Sequence, residues 1–442
     1  MQNKTTPRPP VAAGIGRGNP VNVNVALLLD VMEILLPGIE SRLPSKRSGY
    51  SYGVFVLFQA CVQLLGTSAK VTGEIINEMC KIKGKSFHSF ETTCFSNKKH
   101  RRFFPDQPSL SRCLKNLSKL GLTEIFWNEV NFSHLLLLKD LGIAGPDINL
   151  IADYKEASCP KDKDDPYCFG TKEGKTVHKT LAFSVLSGGL HQVIFAFKIA
   201  KRQNKLPLFA HVIRRLQANG FRIKHALLDR GFYRKRLLVQ FKRWRITVIM
   251  PGRDCTGTRK LTRDFLNGKG TRIGKGQMRL KYVRGFGYPY LEFDLVLQAK
   301  RSYRLDAIKR DYNKGKLSLD DASKRIFPLL VLLASKRGIK KIKGNENYIR
   351  TLYRARWNIE IAFREMNKLG ITTHYRHRDG RLAAMGARIL VYNMWQVQRH
   401  ILKKAKGESK PLELAEFLGR SWFQRHVVYA VNVGKNRSLG PC

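Results

Sequence analysis

The sequence predicts a mixed α/β protein in which a core of strands and helices follows a helical region and carries a β-rich insertion. Three observations support this. In the first third, apolar residues recur at spacings of three and four, as in NVALLLDVMEILL, YGVFVLFQACVQLL and LTEIFWNEVNFSHLLLLKDL. From Asp147 onward the pattern becomes short apolar runs bounded by turn residues: INLIAD, VHKTLAFSVL, LHQVIFAFKIA, IKHALLDRGF and ITVIMPG. Two helical stretches, LPLFAHVIRRLQANG and YRKRLLVQFKRW, separate the later runs.

Charge narrows the function classes. The 442 residues hold 81 Lys plus Arg against 33 Asp plus Glu, a net charge of +48 spread along the chain. Such a field attracts polyanions and releases their counterions, which makes nucleic acid the leading partner. Ribosome association or a membrane surface would also suit a basic chain. A membrane span is not expected, because no apolar run reaches about 18 residues. The eight cysteines are scattered without a CxxC pair, which speaks against zinc ribbons and for free thiols in a reducing compartment. The expected location is cytoplasmic, at the nucleoid.

At about 150 residues per domain the length suggests two or three domains. Residues 1–20 read as a disordered tail and 21–145 as a helical DNA-binding region. Within that region the cluster Lys98, Lys99, His100, Arg101, Arg102 and the segment PDQPSLSRCLKNLSKLG point to DNA. In the latter, Ser109 can cap a short helix presenting Ser111, Arg112 and Lys115. A solvated loop before an ordinary bundle helix explains the same residues nearly as well.

The core begins with residues 146–253. INLIAD is a strand ending in Asp153, and a polar loop, EASCPKDKDDPYCFGTKEGK, follows it. The next two strands meet at Ser187, Gly188 and Gly189, a hairpin signal. Gly220 ends the helix after them, and IKHALLDRGF is a buried strand ending in Asp229. Residues 254–345 form the insertion, and 346–405 complete the core with the helix that bears Glu360. A C-terminal tail occupies 406–442. Three strands, helix, strand, helix, strand and a later acid-bearing helix is a ribonuclease H-like order. It brings Asp153, Asp229 and Glu360 to one edge of the sheet. Taken singly, each acid has a plainer reading as a turn cap or an ion-pair partner.

The stretch Tyr353 to Leu369, YRARWNIEIAFREMNKL, reads as one amphipathic helix. Leu352, Ile359, Phe363, Met366 and Leu369 form its apolar stripe, with Tyr353, Arg356, Glu360 and Asn367 along the border. A carboxylate at that buried edge calls for a cation, and a metal ion is one candidate. A surface pair between Glu360 and Arg364, four residues apart, is the ordinary alternative.

The run Y-x-x-R-W-x-I-E-x-x-F-R resembles the signature of DDE transposases of prokaryotic insertion sequences, the group marked by Tyr, Arg, Glu and Lys on one helix. LLDRGF resembles the second-aspartate motif of the same family. The family lysine, seven residues after the glutamate, is Asn367 here; Lys368 follows, turned about 80° from Glu360 on an ideal helix.

The resemblance implies metal-dependent DNA cleavage and strand transfer at the ends of the element. Asp153, Asp229 and Glu360 would bind two Mg²⁺ ions, with Mn²⁺ able to substitute. Tyr353, Arg356, Arg364 and Lys368 would meet DNA, Tyr353 and Arg356 at a terminal phosphate. The partners implied are double-stranded DNA, both terminal inverted repeats and target, and a second copy of the chain on that DNA. A nuclease of the same fold without strand transfer, and a non-catalytic DNA-binding derivative, are the alternatives. In some family members a Trp in the insertion stacks on a flipped base. None lies between Trp244 and Trp357 here, leaving Phe286, Tyr288 and Tyr290 as substitutes or as core.

GKGTRIGKG lacks the GK[ST] ending of a phosphate loop, and DKDD lacks the Gly and distal Glu of a calcium loop. His374 and His377 read as part of a basic loop.

Overall fold

A computed structural model describes residues 52–65, 68–83, 107–159, 165–171, 173–253, 256–279, 290–300, 303–333, 344–368 and 378–406. The expectations for 1–20, the run NVALLLDVMEILL, Lys98 to Arg102, Phe286, Tyr288, Leu369, His374, His377 and 407–442 lie outside these residues.

The centre of the fold is one nine-stranded sheet. β1 (Asp147–Ser158) pairs antiparallel with β3 (Thr176–Ser187), and β3 pairs antiparallel with β4 (Leu190–Ile199). On its other side β1 runs parallel to β5 (Arg222–Leu228), and β5 parallel to β6 (Thr247–Pro251). The order β4-β3-β1-β5-β6 is the predicted ribonuclease H-like arrangement. Gly188 and Gly189, at φ 54° and 89°, make the turn between β3 and β4, where other residues would be strained.

β1 runs further than expected. Asp153 is mid-strand, because the polar residues after it stay paired to β3 and Glu156 forms an ion pair with Lys179 of that strand. The polar loop itself contains a short strand, β2 (Cys168–Gly170), on the outer edge of β3.

The insertion extends the core sheet. β9 (Ile326–Leu332) pairs antiparallel with β6, β8 (Tyr290–Ala299) with β9, and β7 (Ile273–Arg279) with β8. Ile326 to Leu332 is the apolar run that makes this junction, burying Leu329, Leu330 and Val331. The insertion is therefore mixed rather than mainly β, since its described residues also hold three helices.

Helices cover both sheet faces. α1 (Tyr52–Leu65), α2 (Ala69–Lys83), α3 (Gln107–Lys119) and α4 (Thr123–Asp140) precede the sheet. α5 (Leu206–Ala218) and α6 (Lys235–Arg243) lie within the core. α7 (Thr256–Leu266), α8 (Leu305–Asn313) and α9 (Leu319–Lys324) belong to the insertion. α10 (Glu346–Arg354), α11 (Trp357–Lys368) and α12 (Arg378–Lys406) end the described chain.

Residues of α5 and α6 share a core with Leu150, Ala152 and Leu228. Residues of α1, α3, α4, α10, α11 and α12 share another with Ile151 and Leu227. Successive strand residues face opposite sides, so Asp153 lies on the α11 side with Ile151. The helical N-terminal region is thus part of the same packed body as α12. α3 starts at Gln107, which puts Ser109 inside the helix rather than at its cap, while Ser111, Arg112 and Lys115 face solvent. Among the described residues no helix is long and apolar enough to cross a membrane.

Candidate active site

Asp153 is held at the seam where pairing between β1 and β5 stops. The last matched pair is Ala152 with Leu228, so the next residues of the two strands are Asp153 and Asp229. Asp229 then caps a short 3₁₀ turn, Arg230–Phe232, by accepting a bond from the Gly231 amide at 3.3 Å. Phe232 stacks on Tyr154 with ring centroids 4.8 Å apart, tying this turn to β1 beside Asp153.

The third acid arrives on a broken helix. The expected single helix from Tyr353 to Leu369 is two, α10 and α11, separated at Ala355 and Arg356. At the junction the chain tightens into i to i−3 bonds: the Arg356 amide donates to Tyr353 O at 3.0 Å and that of Ile359 to Arg356 O at 3.2 Å. An apolar stripe continuing across both helices hides such a break from periodicity.

Arg356, only 7% exposed, turns inward at this break. Its guanidinium donates to Asp153 Oδ2 at 2.5 Å and to Glu360 Oε1 at 2.5 Å. The Tyr353 ring lies 5.7 Å from the guanidinium, and Nε has no hydrogen-bond partner. Arg356 thus takes the pairing with Glu360 that Arg364 offered in the sequence. Arg364 meets Glu365 at 3.6 Å, as does Lys368 at 2.8 Å. Glu360 is half exposed, at 51%, and the buried acid of α11 is Glu365. Glu365 gave no signal in the sequence because its neighbours Arg364 and Lys368 make it look like a surface residue.

The electrostatics follow from this crowding. Burial, helped by the charges of Asp229 and Glu360, pushes Asp153 up to about 6 against the opposing pull of Arg356 and the Tyr154 amide. Burial likewise lifts the Tyr353 hydroxyl to about 12. The three acids expected at one edge of the sheet therefore feel one another's charge, with a guanidinium bridging two of them. Among the described residues no group of three or more His, Cys, Asp or Glu is arranged to hold a metal ion. Asp153 and Glu360 instead direct their oxygens at Arg356. As a donor set, three carboxylates fit a hard divalent cation, and one positive charge already gathers two of them.

Asp153 and Asp229 thus follow the β1–β5 seam of a ribonuclease H-like sheet, and Glu360, on a helix from beyond the insertion, is tied to Asp153 through Arg356. Residues 145–394, more than half of the chain, match the family model "Transposase DDE domain", and the chain belongs to that family. No curated protein matches the chain. Among solved structures it is similar to the piggyBac transposase synaptic complex with hairpin DNA, at 12% identity and TM-score 0.43 over 95% of this chain and 81% of that one. It is also similar to the Drosophila P element transposase strand transfer complex, at 9% identity and TM-score 0.25 over 94% of each chain.

Proposed function

We propose that the chain is a transposase that binds the ends of its own insertion sequence and cuts and joins DNA there, with Asp153, Asp229 and Glu360 as metal ligands. The observation that carries this is the convergence of Asp153 and Glu360 on Arg356 beside Asp229, from three separate parts of the sequence. Asp153, Asp229 and Glu360 would hold divalent ions, Mg²⁺ or Mn²⁺, and the chemistry these would supply is neutralisation of the attacking and leaving oxygens of a phosphodiester.

The chain's own residues do the rest. Arg356 keeps Asp153 and Glu360 together and, with Tyr353, borders the place of a terminal phosphate. Arg364 and Lys368, each more than half exposed, border the outer side of α11 as DNA contacts. Arg112 on α3 and the basic cluster Lys98, Lys99, Arg101 and Arg102 add contacts to double-stranded DNA, for the terminal repeats and the target. Two copies of the chain assemble on that DNA, since both ends must be brought together.

The test is cleavage and joining of a DNA fragment carrying the gene with its native flanks, in Mg²⁺ or EDTA, by wild type and Glu360→Gln. Metal-dependent breaks at defined flanking ends, followed by joining, support the proposal when Glu360→Gln lowers them by about 10³-fold, or about 4 kcal/mol. DNA binding should stay within about twofold, because the basic surface is intact. Scattered breaks without joining would point to a nuclease, and equal activity in the variant would remove Glu360 from the chemistry.

A further inference from the structure

Asp153 and Asp229 are both held through one neighbour, Tyr154. The Tyr154 amide donates to Asp153 Oδ1 at 2.7 Å, and Arg356 donates to Oδ2, so both oxygens of Asp153 have a fixed direction. Asp229 is held through its own turn. Its Oδ2 accepts from the Gly231 amide at 3.3 Å, and that turn rests on the Tyr154 ring. Two contacts make the seat. The Phe232 ring lies nearly parallel to Tyr154, at 11° with centroids 4.8 Å apart. A β-carbon on Gly231 would stand 3.6 Å from Tyr154 Cε2 and 3.7 Å from Asp229 Oδ2, so the glycine lies against both the ring and the carboxylate.

Strand geometry makes this seat necessary. Pairing between β1 and β5 ends at Ala152 and Leu228, and the ladder no longer fixes Asp229 against Asp153. An aromatic stack is attractive and directional, and it supplies the missing tie. Alternation puts the ring behind the acids: Asp153 faces α11, whereas Tyr154 packs with Phe232 in the core shared by α5 and α6. The ring is therefore placed to set the acids from the far face of the sheet rather than to touch what they bind. Phe232 is also held edge-on by Phe209, with centroids 5.5 Å apart, which leaves the turn one aromatic support when the Tyr154 ring is removed.

We propose that Tyr154 is a positioning residue for the metal site, fixing the spacing of the Asp153 and Asp229 carboxylates through its stack on Phe232, a role that rests on the reading of these acids as metal ligands. Groups that orient metal ligands from outside contribute about 10- to 100-fold to metal affinity. A side-chain variant of Tyr154 keeps the amide bond to Asp153, so it isolates the stack.

The experiment is a titration with Mn²⁺ of the full chain bound to a duplex of its native flank, read by the electron paramagnetic resonance signal of the free ion and corrected for the duplex alone. Tyr154→Leu and Tyr154→Met fill the apolar space without a flat ring, and they are expected to weaken Mn²⁺ binding about tenfold or more. Tyr154→Phe keeps the stack and is expected to stay within about twofold of wild type. Asp229→Asn marks the larger loss caused by a missing ligand. DNA affinity without metal should stay within about twofold in all four variants, because the basic surface is intact.

Wild-type Mn²⁺ affinity in Tyr154→Leu or Tyr154→Met, with Asp229→Asn impaired, overturns the positioning role and leaves the acids as ligands. An equal loss in Tyr154→Phe would assign the effect to the hydroxyl and also overturn it. So would failure of both the Leu and Met variants to fold while Tyr154→Phe folds, which would assign the ring to core packing. Mn²⁺ binding that Asp229→Asn leaves unchanged would remove the acids as ligands, and the positioning role would fall with them.

Discussion

Arg356 is bonded to Asp153 across 203 residues of sequence, at 2.5 Å in a buried setting. Its other nitrogen closes on Glu360 one helical turn ahead. Removing the guanidinium leaves Asp153 among Asp229 and Glu360 with no cation to offset them. Breaking a buried pair from one side costs about 3 to 5 kcal/mol. Arg356→Ala is therefore expected to lower thermal stability strongly at pH 8.

The cost should shrink at pH 5, and the sign follows from Asp153. Its folded pKa of about 6 lies above the ordinary carboxylate value of 3.8. The folded state therefore holds the proton more tightly, and stability falls as pH rises through about 4 to 6. At pH 5 Asp153 is largely neutral and has little charge for Arg356 to pair with. Melting curves of both proteins at the two pH values check this; an equal loss at both would mean that Arg356 does not stabilise the Asp153 charge.

Two buried histidines give a dependence of opposite sign. His191 bonds Tyr392 Oη and Ser184 Oγ, both at 2.9 Å, and burial holds it down to about 3. Burial holds His134 down to about 4, with a bond to Gln192 opposing the shift. The unfolded chain takes up these protons near 6.5, so stability drops as pH falls below that value. The loss is on the order of 2 kcal/mol per histidine at pH 5. His191→Gln is expected to lose less melting temperature between pH 7 and pH 5 than wild type does. The same loss in both proteins would exclude His191 as a source of acid sensitivity.

Gly386 of α12 is the point where that helix meets α4. A β-carbon there would fall 2.5 Å from Trp127 Cγ, inside contact distance, and Asn131 Nδ2 donates to the Gly386 carbonyl at 3.3 Å. Gly386→Ala should force the helices apart at a cost of about 1 to 3 kcal/mol. A denaturant midpoint unchanged or raised would mean that the indole moves aside freely.

The strand order was legible because its elements are punctuated: Gly188 and Gly189 mark a hairpin, Gly220 stops α5, and INLIAD and HALL are too short and apolar for exposed helices. Asp153 and Asp229 could be placed beside each other from that order alone. The break at Arg356 was not legible, because Leu352, Ile359 and Phe363 keep a helical period across it. Nor was the extension of β1, whose residues after Asp153 are polar and held by pairing with β3 rather than by apolar alternation. The union of insertion and core is a long-range pairing of β6 with β9, which no local pattern encodes.

Direct binding of metal by Asp153, Asp229 and Glu360 is tested most directly by Asp229→Cys, through the metal dependence of cleavage. A thiolate is a poor ligand for Mg²⁺ and a better one for softer ions. The variant is expected to bind DNA normally, to fail to cut in Mg²⁺ and to regain cutting in Mn²⁺ relative to wild type. Wild-type cutting in Mg²⁺, or an equal loss in both metals by a folded, DNA-binding variant, would contradict it.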